Sequence, residues 1–380
     1  MGSTGGGVSV PLLHKIAGVV VVCAVILGLT VPGERRRGEE AGGERVAAEP
    51  EGEARAAKAT GSPAPGGSGS GSPSVSASAP IAAAAPGAVA AKANELGQVP
   101  VLMYHRIVEK PERPLDRTPE ELYDELTRLA KGGYSPITAA EFVGGRFNAP
   151  AGRHPVVLTF DDGTPDHFAL DAQGRPKAGT AVEVIQRVAA ENPGFRPVAT
   201  FYMTRELFGM EDGQASAAVP WLVRRGYEIG NHTMNHPNLG GMSGEEVREE
   251  IGEIEDRIVR LTGKHATTLA YPFGVLPRKR AWAEKADGEY GFQGAFVAGW
   301  RPSLSPFDEE FDRWEISRVR SEGKIEEDDC KQYCSTAWLE HLDKHPEERY
   351  TSDGDPNTVT FPKAAEYRLA KEYRARARTY

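Results

Sequence analysis

The sequence predicts an α/β protein in which strands and helices build an irregular (β/α) barrel. From residue 99 onward, segments with strand character alternate with segments of helical periodicity, and such alternation implies parallel strands covered by helices. Several of the strands end in polar residues suited to catalysis, at the strand ends where barrel active sites lie. The length agrees, because roughly 280 residues remain after a low-complexity N-terminal part, near the size of one such barrel.

The individual elements follow from local patterns. Short apolar and β-branched runs predict strands at residues 99–104, 134–137, 156–160, 198–203, 228–231 and 268–271. Thr118, Thr138 and Ser243 each precede a glutamate by three positions, which is the capping box that begins a helix. A further helix is predicted at residues 180–190, and apolar residues at helical spacing follow Ser243 as far as Leu261.

The N-terminal part predicts targeting and tethering. Residues 16–31 carry no charge and would span roughly 24 Å as a helix, a little less than a ~30 Å hydrocarbon core. Residues 1–32 are therefore expected to be a signal peptide or a membrane anchor. The arginines at positions 35–37 oppose export under the positive-inside rule, yet we expect an extracytoplasmic protein because a tether follows. Residues 33–97, rich in Ala, Gly, Pro and Ser, predict a disordered linker, and residues 98–380 the folded domain.

Composition and charge restrict the partners. The net charge of −9 and the lack of a basic cluster beside the candidate catalytic residues argue against nucleic acid. Three cysteines are too few for a disulfide framework. Cys330 and Cys334 are four apart in a predicted helix, so two thiols and a strained local bridge both remain open. We expect a monomer.

Two adjacent carboxylates after the strand at residues 156–160 are the most informative motif. Side chains alternate between the faces of a strand, so Asp161 and Asp162 can act differently, one binding a metal and the other facing substrate. Downstream, His232 and His236 are four apart, which predicts that they meet on one side of a helical turn. One carboxylate and two histidines form a three-ligand metal set that leaves positions open for water and substrate.

Three motifs in this order resemble a known family. They are similar to the first three motifs of the polysaccharide deacetylases, carbohydrate esterase family four: Thr159-Phe160-Asp161-Asp162-Gly163, His232-Thr233-Met234-Asn235-His236 and Tyr271-Pro272-Phe273-Gly274. Residues 101–107 are similar to the start of the subgroup that deacetylates poly-N-acetylglucosamine. The resemblance covers residues 99–320 and implies the barrel of that family.

The resemblance also implies roles for the site residues. Asp161 would be the general base, the backbone N–H of Phe273 would help to bind the oxyanion, and the metal ligands would be Asp162, His232 and His236. Most members have an arginine at the position of Ala270 that orients the base. The sequence therefore leaves open what orients Asp161 here.

The resemblance leaves two histidines open as the general acid. In the poly-N-acetylglucosamine subgroup the corresponding histidine lies in the early Met103-Tyr104-His105 segment, which indicates His105. Most other members take it from a late Leu-x-His motif, and the only match after Arg320 is Leu339-Glu340-His341. His341 is therefore the alternative acid.

The expected function is that of a metal-dependent hydrolase. It would remove N-acetyl groups from N-acetylglucosamine units of an extracellular or cell-wall polysaccharide, with Zn²⁺ as the expected metal and Ni²⁺, Co²⁺ or Fe²⁺ as alternatives. Two other functions remain open. One is a catalytically silent glycan-binding module of the same fold, and the other is a non-haem iron oxygenase that uses the same ligand set.

Overall fold

The computed structural model describes residues 80–321 and 334–380. Their strands are β1 Ala82–Ala83, β2 Val101–Tyr104, β3 Tyr134–Ile137, β4 His154–Phe160, β5 Thr200–Met203, β6 Glu228–Asn231, β7 Thr268–Ala270, β8 Lys285–Ala286, β9 Tyr290–Gly291, β10 Gly294–Val297, β11 Ile316–Ser317, β12 Val319–Arg320, β13 Val359–Phe361 and β14 Ala377–Thr379. Their helices are α1 Pro86–Ala90, α2 Pro119–Lys131, α3 Ala139–Val143, α4 Ala181–Glu191, α5 Asp212–Arg224, α6 Gly244–Thr262, α7 Ala281–Glu284 and α8 Ser335–Lys344.

Nine parallel strands form the main sheet. Eight of them follow in the order β11, β10, β7, β6, β5, β4, β2 and β12, and β3 pairs with the amino-terminal half of β4. Only Arg318 separates β11 from β12 in the chain, yet β11 pairs with β10 at one edge and β12 with β2 at the other. The chain therefore bridges the two edges at Arg318 and nearly closes the sheet into a barrel. The predicted irregular (β/α) barrel is confirmed.

The helices begin where the sequence predicted. Thr118, Thr138 and Ser243 each form a complete capping box, in which the hydroxyl accepts from the backbone N–H of the glutamate three residues later and that glutamate accepts from the cap N–H. The predicted helix at residues 180–190 is α4, with Thr180 as its N-cap. Each helix thereby satisfies otherwise unpaired N–H groups and buries its apolar face against the sheet.

The alternation of β4 decides which residues enter the barrel. Leu158 and Phe160 belong to the apolar cluster shared with the outer helices. Val157 belongs instead to the cluster that contains Tyr202 and Phe296 from other strands of the sheet. Because side chains alternate, the residues two and four positions after Val157 face the same way. β4 therefore directs Asp161 into the interior of the barrel.

The predicted linker is wrong for residues 80–97, which are folded. β1 pairs with β14, which pairs with β13, in a separate three-stranded sheet. Glu95 is buried and accepts from the backbone N–H of Thr360 (2.9 Å) and from the hydroxyl of Tyr350 (3.0 Å). Burial raises the pKa of Glu95 to about 8. Local composition could not predict this order, because the partners of this segment lie near the other end of the chain.

Other N-terminal predictions fall outside the described residues. These are the anchor or signal peptide at residues 1–32 and the linker at residues 33–79. None of the helices within residues 80–321 and 334–380 combines the length and apolar character needed to cross a bilayer.

Cys330 also lies outside the described ranges. Cys334 is disulfide-bonded, so a free thiol at that position is excluded.

Candidate active site

The end of β4 places the paired carboxylates in different surroundings. The side chain of Asp161 is buried in the barrel, and its backbone N–H donates to the carbonyl oxygen of Tyr104 (3.0 Å). Asp162 has a φ of 75°, a left-handed conformation that few non-glycine residues adopt. Its side chain is 33% exposed, which leaves the carboxylate open to the cleft. The two adjacent carboxylates therefore differ in burial, and their separate roles remain a prediction.

His232 and His236 are brought together by a loop, so the predicted helical turn is wrong. β6 ends at Asn231, and Thr233 and His236 have φ values of 66° and 54°, which an α-helix excludes. The side-chain oxygen of Asn231 accepts from the backbone N–H of Thr233 (3.0 Å). This local bond replaces helical hydrogen bonding. The two imidazole rings still meet, with centroids 4.8 Å apart.

Asp162, His232 and His236 form a group suited to a metal ion. One ligand atom of each lies within 4.8 Å of the others, and the two histidine Nε2 atoms are 3.7 and 3.8 Å from Oδ1 of Asp162. Nδ1–H of His232 donates to the carbonyl oxygen of Ala270 (2.7 Å), so Nε2 presents its lone pair to the group, as metal-binding histidines usually do. Burial lowers the pKa of His232, which favours the neutral form that binds metals. The donor set therefore fits a divalent cation.

Arg318 orients Asp161, and the sequence analysis missed it. Its two terminal nitrogens donate to Oδ1 and Oδ2 of Asp161 at 2.6 and 2.8 Å, and its Nε donates to the carbonyl oxygen of Val297 (3.1 Å). Both charged side chains are buried. A bidentate arginine fixes a carboxylate in position and angle. Arg318 thus orients Asp161, which the short side chain of Ala270 cannot do.

The charge of Arg318 also sets the ionisation of Asp161. Burial alone would raise the pKa of Asp161, but Arg318, with further contributions from His232 and His105, holds that pKa below its usual range. Asp161 is therefore a carboxylate at neutral pH. The β-branched residues Ile316 and Val319 favour a strand around Arg318, but nothing in this segment of the sequence indicates Asp161 as its partner.

His105 follows β2 at the same rim of the barrel. Its charged form lowers the pKa of Asp161, and its Nδ1 is buried without a hydrogen-bond partner within the described ranges. Nε2–H of the buried His167 donates to the carbonyl oxygen of His105 (2.8 Å), and Asp166 accepts from the backbone N–H of Ile107 (2.8 Å). The loop after β4 therefore fixes the backbone from the carbonyl group of His105 to Ile107.

The third motif places Phe273 beside the histidines. Pro272–Gly274 forms a tight turn after β7, in which Phe273 has a φ of 58°. Its ring packs edge-on against His236, with centroids 4.5 Å apart. Among the described residues, seven non-glycine residues have positive φ, and four of them belong to this group: Asp162, Thr233, His236 and Phe273. Strained backbone concentrates at functional sites, so the clustering supports a working site here.

His341, the alternative acid, lies elsewhere. It belongs to α8, donates from Nε2 to the carboxylate of Glu348 (2.9 Å) and packs edge-on against Trp338. Its described contacts include none of the carboxylates or histidines of the candidate site. The structure therefore brings together the predicted residues Asp161, Asp162, His232, His236, His105 and Phe273, and it leaves His341 apart.

Parts of this chain are similar to known proteins. Residues 148–291 match the family model described as polysaccharide deacetylase. A peptidoglycan-N-acetylglucosamine deacetylase of Bacillus cereus is 28% identical over 175 residues, which cover 45% of this chain and 55% of that protein. The chain thus spans about half the length of this curated relative.

Solved structures give partial superpositions. A deacetylase of Streptococcus pyogenes in complex with acetate has a TM-score of 0.47 at 20% identity, covering 63% of this chain and 98% of that one. A polysaccharide deacetylase from Bacillus cereus has a TM-score of 0.47 at 23% identity, covering 60% and 66%.

Proposed function

Because residues 148–291 match the polysaccharide deacetylase family model, we propose that the protein is a metal-dependent hydrolase of N-acetyl groups. Its substrate would be an extracytoplasmic polysaccharide that contains N-acetylglucosamine, the sugar named for the Bacillus cereus relative. One observation carries the proposal. The three candidate ligands Asp162, His232 and His236 converge beside a second carboxylate that Arg318 keeps ionised.

Asp162 and the two histidines would hold the metal. Zn²⁺ is the first candidate, and Ni²⁺, Co²⁺ and Fe²⁺ accept the same nitrogen and oxygen donors. Such an ion, when bound, makes a coordinated water more acidic and polarises the amide carbonyl. The contact of His232 with Ala270 fixes the ring orientation in advance, which reduces the reorganisation that binding requires.

The remaining site residues would carry the proton transfers. Asp161 accepts the proton of the attacking water, in an orientation set by Arg318. The backbone N–H of Phe273 donates to the developing oxyanion. His105 donates a proton to the leaving amine, since a protonated imidazole can act as a general acid. Each role is what the family resemblance implied for that residue.

Substitution of the base tests the proposal. Asp161→Asn should keep the metal and lower the deacetylation rate by ~10²–10⁴-fold, because the amide cannot accept the proton. Metal content is measured by elemental analysis. The rate is measured as acetate release from defined N-acetylglucosamine oligomers. Asp171→Asn, in the same loop after β4 but paired with Arg175, is the matched control and should behave as wild type. An unchanged rate in Asp161→Asn would contradict the assignment of the base.

His105→Ala should retain metal and substrate binding but lose most of kcat. The reason is that the leaving amine needs a proton, and no other predicted acid lies in this group. The basic limb of the pH–rate profile should change as well, because that limb reports protonation of the acid. A variant that keeps both kcat and the basic limb would reject His105, and His341 would be tested next.

The same assays separate the two other candidate functions. A catalytically silent module would bind the oligomers and release no acetate. An iron oxygenase would consume dioxygen with Fe²⁺ bound, although the common scaffold for that ligand set is an all-β jelly roll and this sheet is parallel with helices. Export to the extracytoplasmic side, by an anchor or by secretion, remains a prediction from residues 16–31.

A further inference from the structure

A cavity of about 480 Å³ lies outside the candidate active site. This volume is within the range of small-molecule sites, ~300–1,000 Å³. Its walls combine aromatic, charged and amide side chains with a few apolar ones: Gln98, Trp300, Arg301, Pro302, Leu304, Ala337, Trp338, His341 and Glu348. None of these residues has a role in the proposed hydrolysis.

One side of the cavity lies at the amino-terminal end of β2, and the residues of the candidate active site are not among its walls. Gln98 precedes β2, whereas His105 follows its carboxyl end. The backbone N–H of Gln98 donates to the carbonyl oxygen of Glu348, and Ser303 pairs with Val99. Both contacts lie before the first residue of β2. The Gln98 side of the cavity therefore lies away from His105 and the carboxyl end of β2.

Two tryptophans form a fixed aromatic wall. Trp300 is 55% exposed, and its ring centroid is 6.5 Å from that of Trp338. Nε1–H of Trp338 donates to the carbonyl oxygen of Trp300 (2.6 Å). A Cβ at Gly299 would collide with Ser317 and with the backbone of Arg318, so the turn that carries Trp300 packs directly on the sheet. The backbone at Trp300 and the ring of Trp338 are thus held in place before any ligand arrives, which lowers the entropy cost of binding.

The polar side chains suit a neutral ligand rich in hydroxyl and amide groups. Arg301 supplies several N–H donors and Gln98 an amide oxygen acceptor, while Glu348, whose Oε2 accepts from His341 and Gln98, supplies Oε1 as an acceptor. The single positive and single negative charge nearly cancel, which disfavours a polyanion such as nucleic acid. Aromatic faces beside planar polar groups match a pyranose ring, whose C–H faces stack on tryptophan while its edge hydroxyls form hydrogen bonds.

We propose that this cavity is a secondary binding site for the glycan chain, which holds one or two N-acetylhexosamine units while another part of the polymer occupies the catalytic cleft. The choice of ligand rests on the proposed function, because only a polymer substrate can occupy the cleft and this cavity at once. Two linked contacts raise the effective concentration of the chain at the active site. The site should therefore affect long substrates and leave short ones unaffected.

Fluorine NMR of the full-length protein labelled with 5-fluorotryptophan tests the site directly. The chain has five tryptophans, so single Trp→Phe variants assign every resonance. Titration with the N-acetylglucosamine hexamer should shift the signals of Trp300 and Trp338 saturably, in wild type and in Asp162→Asn alike. Trp300→Ala should weaken this binding by about tenfold or more, as expected when a central tryptophan is removed.

Kinetics give the second readout. Trp300→Ala should raise KM for the polymer several-fold while kcat on the dimer stays at the wild-type value. Tyr367→Ala removes another exposed aromatic ring, 76% exposed and outside this cavity, and should change neither quantity. Absence of saturable shifts at Trp300 and Trp338 would overturn the inference. Acetate release from the same hexamer reports separately on the proposed function, so failure of either can be told from failure of the other.

Discussion

His232→Ala and His236→Ala should each abolish stoichiometric metal binding and, with it, all deacetylation. Each variant leaves one carboxylate and one imidazole, and two ligands do not hold a divalent ion at micromolar concentration. His232→Ala should have the larger effect on the fold too, since His232 is buried and bonded to Ala270, whereas the side chain of His236 is 29% exposed. Metal content after dialysis and acetate release are the measurements.

Two further variants make this result specific. Asp162→Asn should also lose the metal, because the neutral amide removes the one charged ligand. His265→Ala removes an exposed histidine that contacts Glu255 away from the group, and it should retain both metal and activity. Full metal occupancy in His232→Ala and His236→Ala would show that other residues hold the ion.

Much of the fold could be predicted from local sequence patterns. The capping boxes at Thr118, Thr138 and Ser243 predicted helix starts correctly, because a cap depends on residues within four positions of one another. The strand that ends at Phe160 was equally clear, since an apolar run stops at two carboxylates. These signals are local in sequence. They placed the predicted site residues correctly at strand ends.

The errors concern contacts between distant parts of the chain. The Ala-rich segment before Val99 resembles a linker by composition, and its order comes from partners such as Tyr350 and Thr360. The spacing of His232 and His236 fits a helix, but the buried side chain of Asn231 redirects the backbone. Arg318 is 157 positions from Asp161. Nothing near either residue indicates that barrel closure brings them together.

Arg318→Met should lower kcat by ~10²–10⁴-fold and destabilise the fold by about 3–5 kcal/mol. The kinetic loss follows because Asp161 would no longer be held in one orientation or kept ionised. The loss of stability follows because removal of one partner leaves a buried, uncompensated charge. Arg318→Lys should recover only part of both, since an ammonium cannot bind both carboxylate oxygens in the same plane.

A matched arginine separates the two effects. Arg368 pairs with the buried Asp308 and donates to the carbonyl oxygen of Leu96, away from the site. Arg368→Met should lower the midpoint of thermal unfolding and leave kcat and its pH dependence unchanged. The same kinetic loss in both variants would mean that Arg318 acts only through stability.

The pH dependence of the free energy of unfolding, measured in metal-free protein, tests most directly whether Arg318 keeps Asp161 ionised. In wild type the pKa of Asp161 is held below its usual value of 3.8, so the pair contributes stability above that value and loses it as the pH falls below. In Arg318→Met burial would raise the pKa of the carboxyl, and only the smaller contributions of His232 and His105 would oppose it. The folded variant would then take up a proton more readily than the unfolded chain. Lowering the pH from 7 towards 5 should therefore stabilise Arg318→Met relative to wild type, as measured by denaturant unfolding. A constant difference between the two proteins across that range would contradict the assignment of Arg318 as the group that keeps Asp161 ionised.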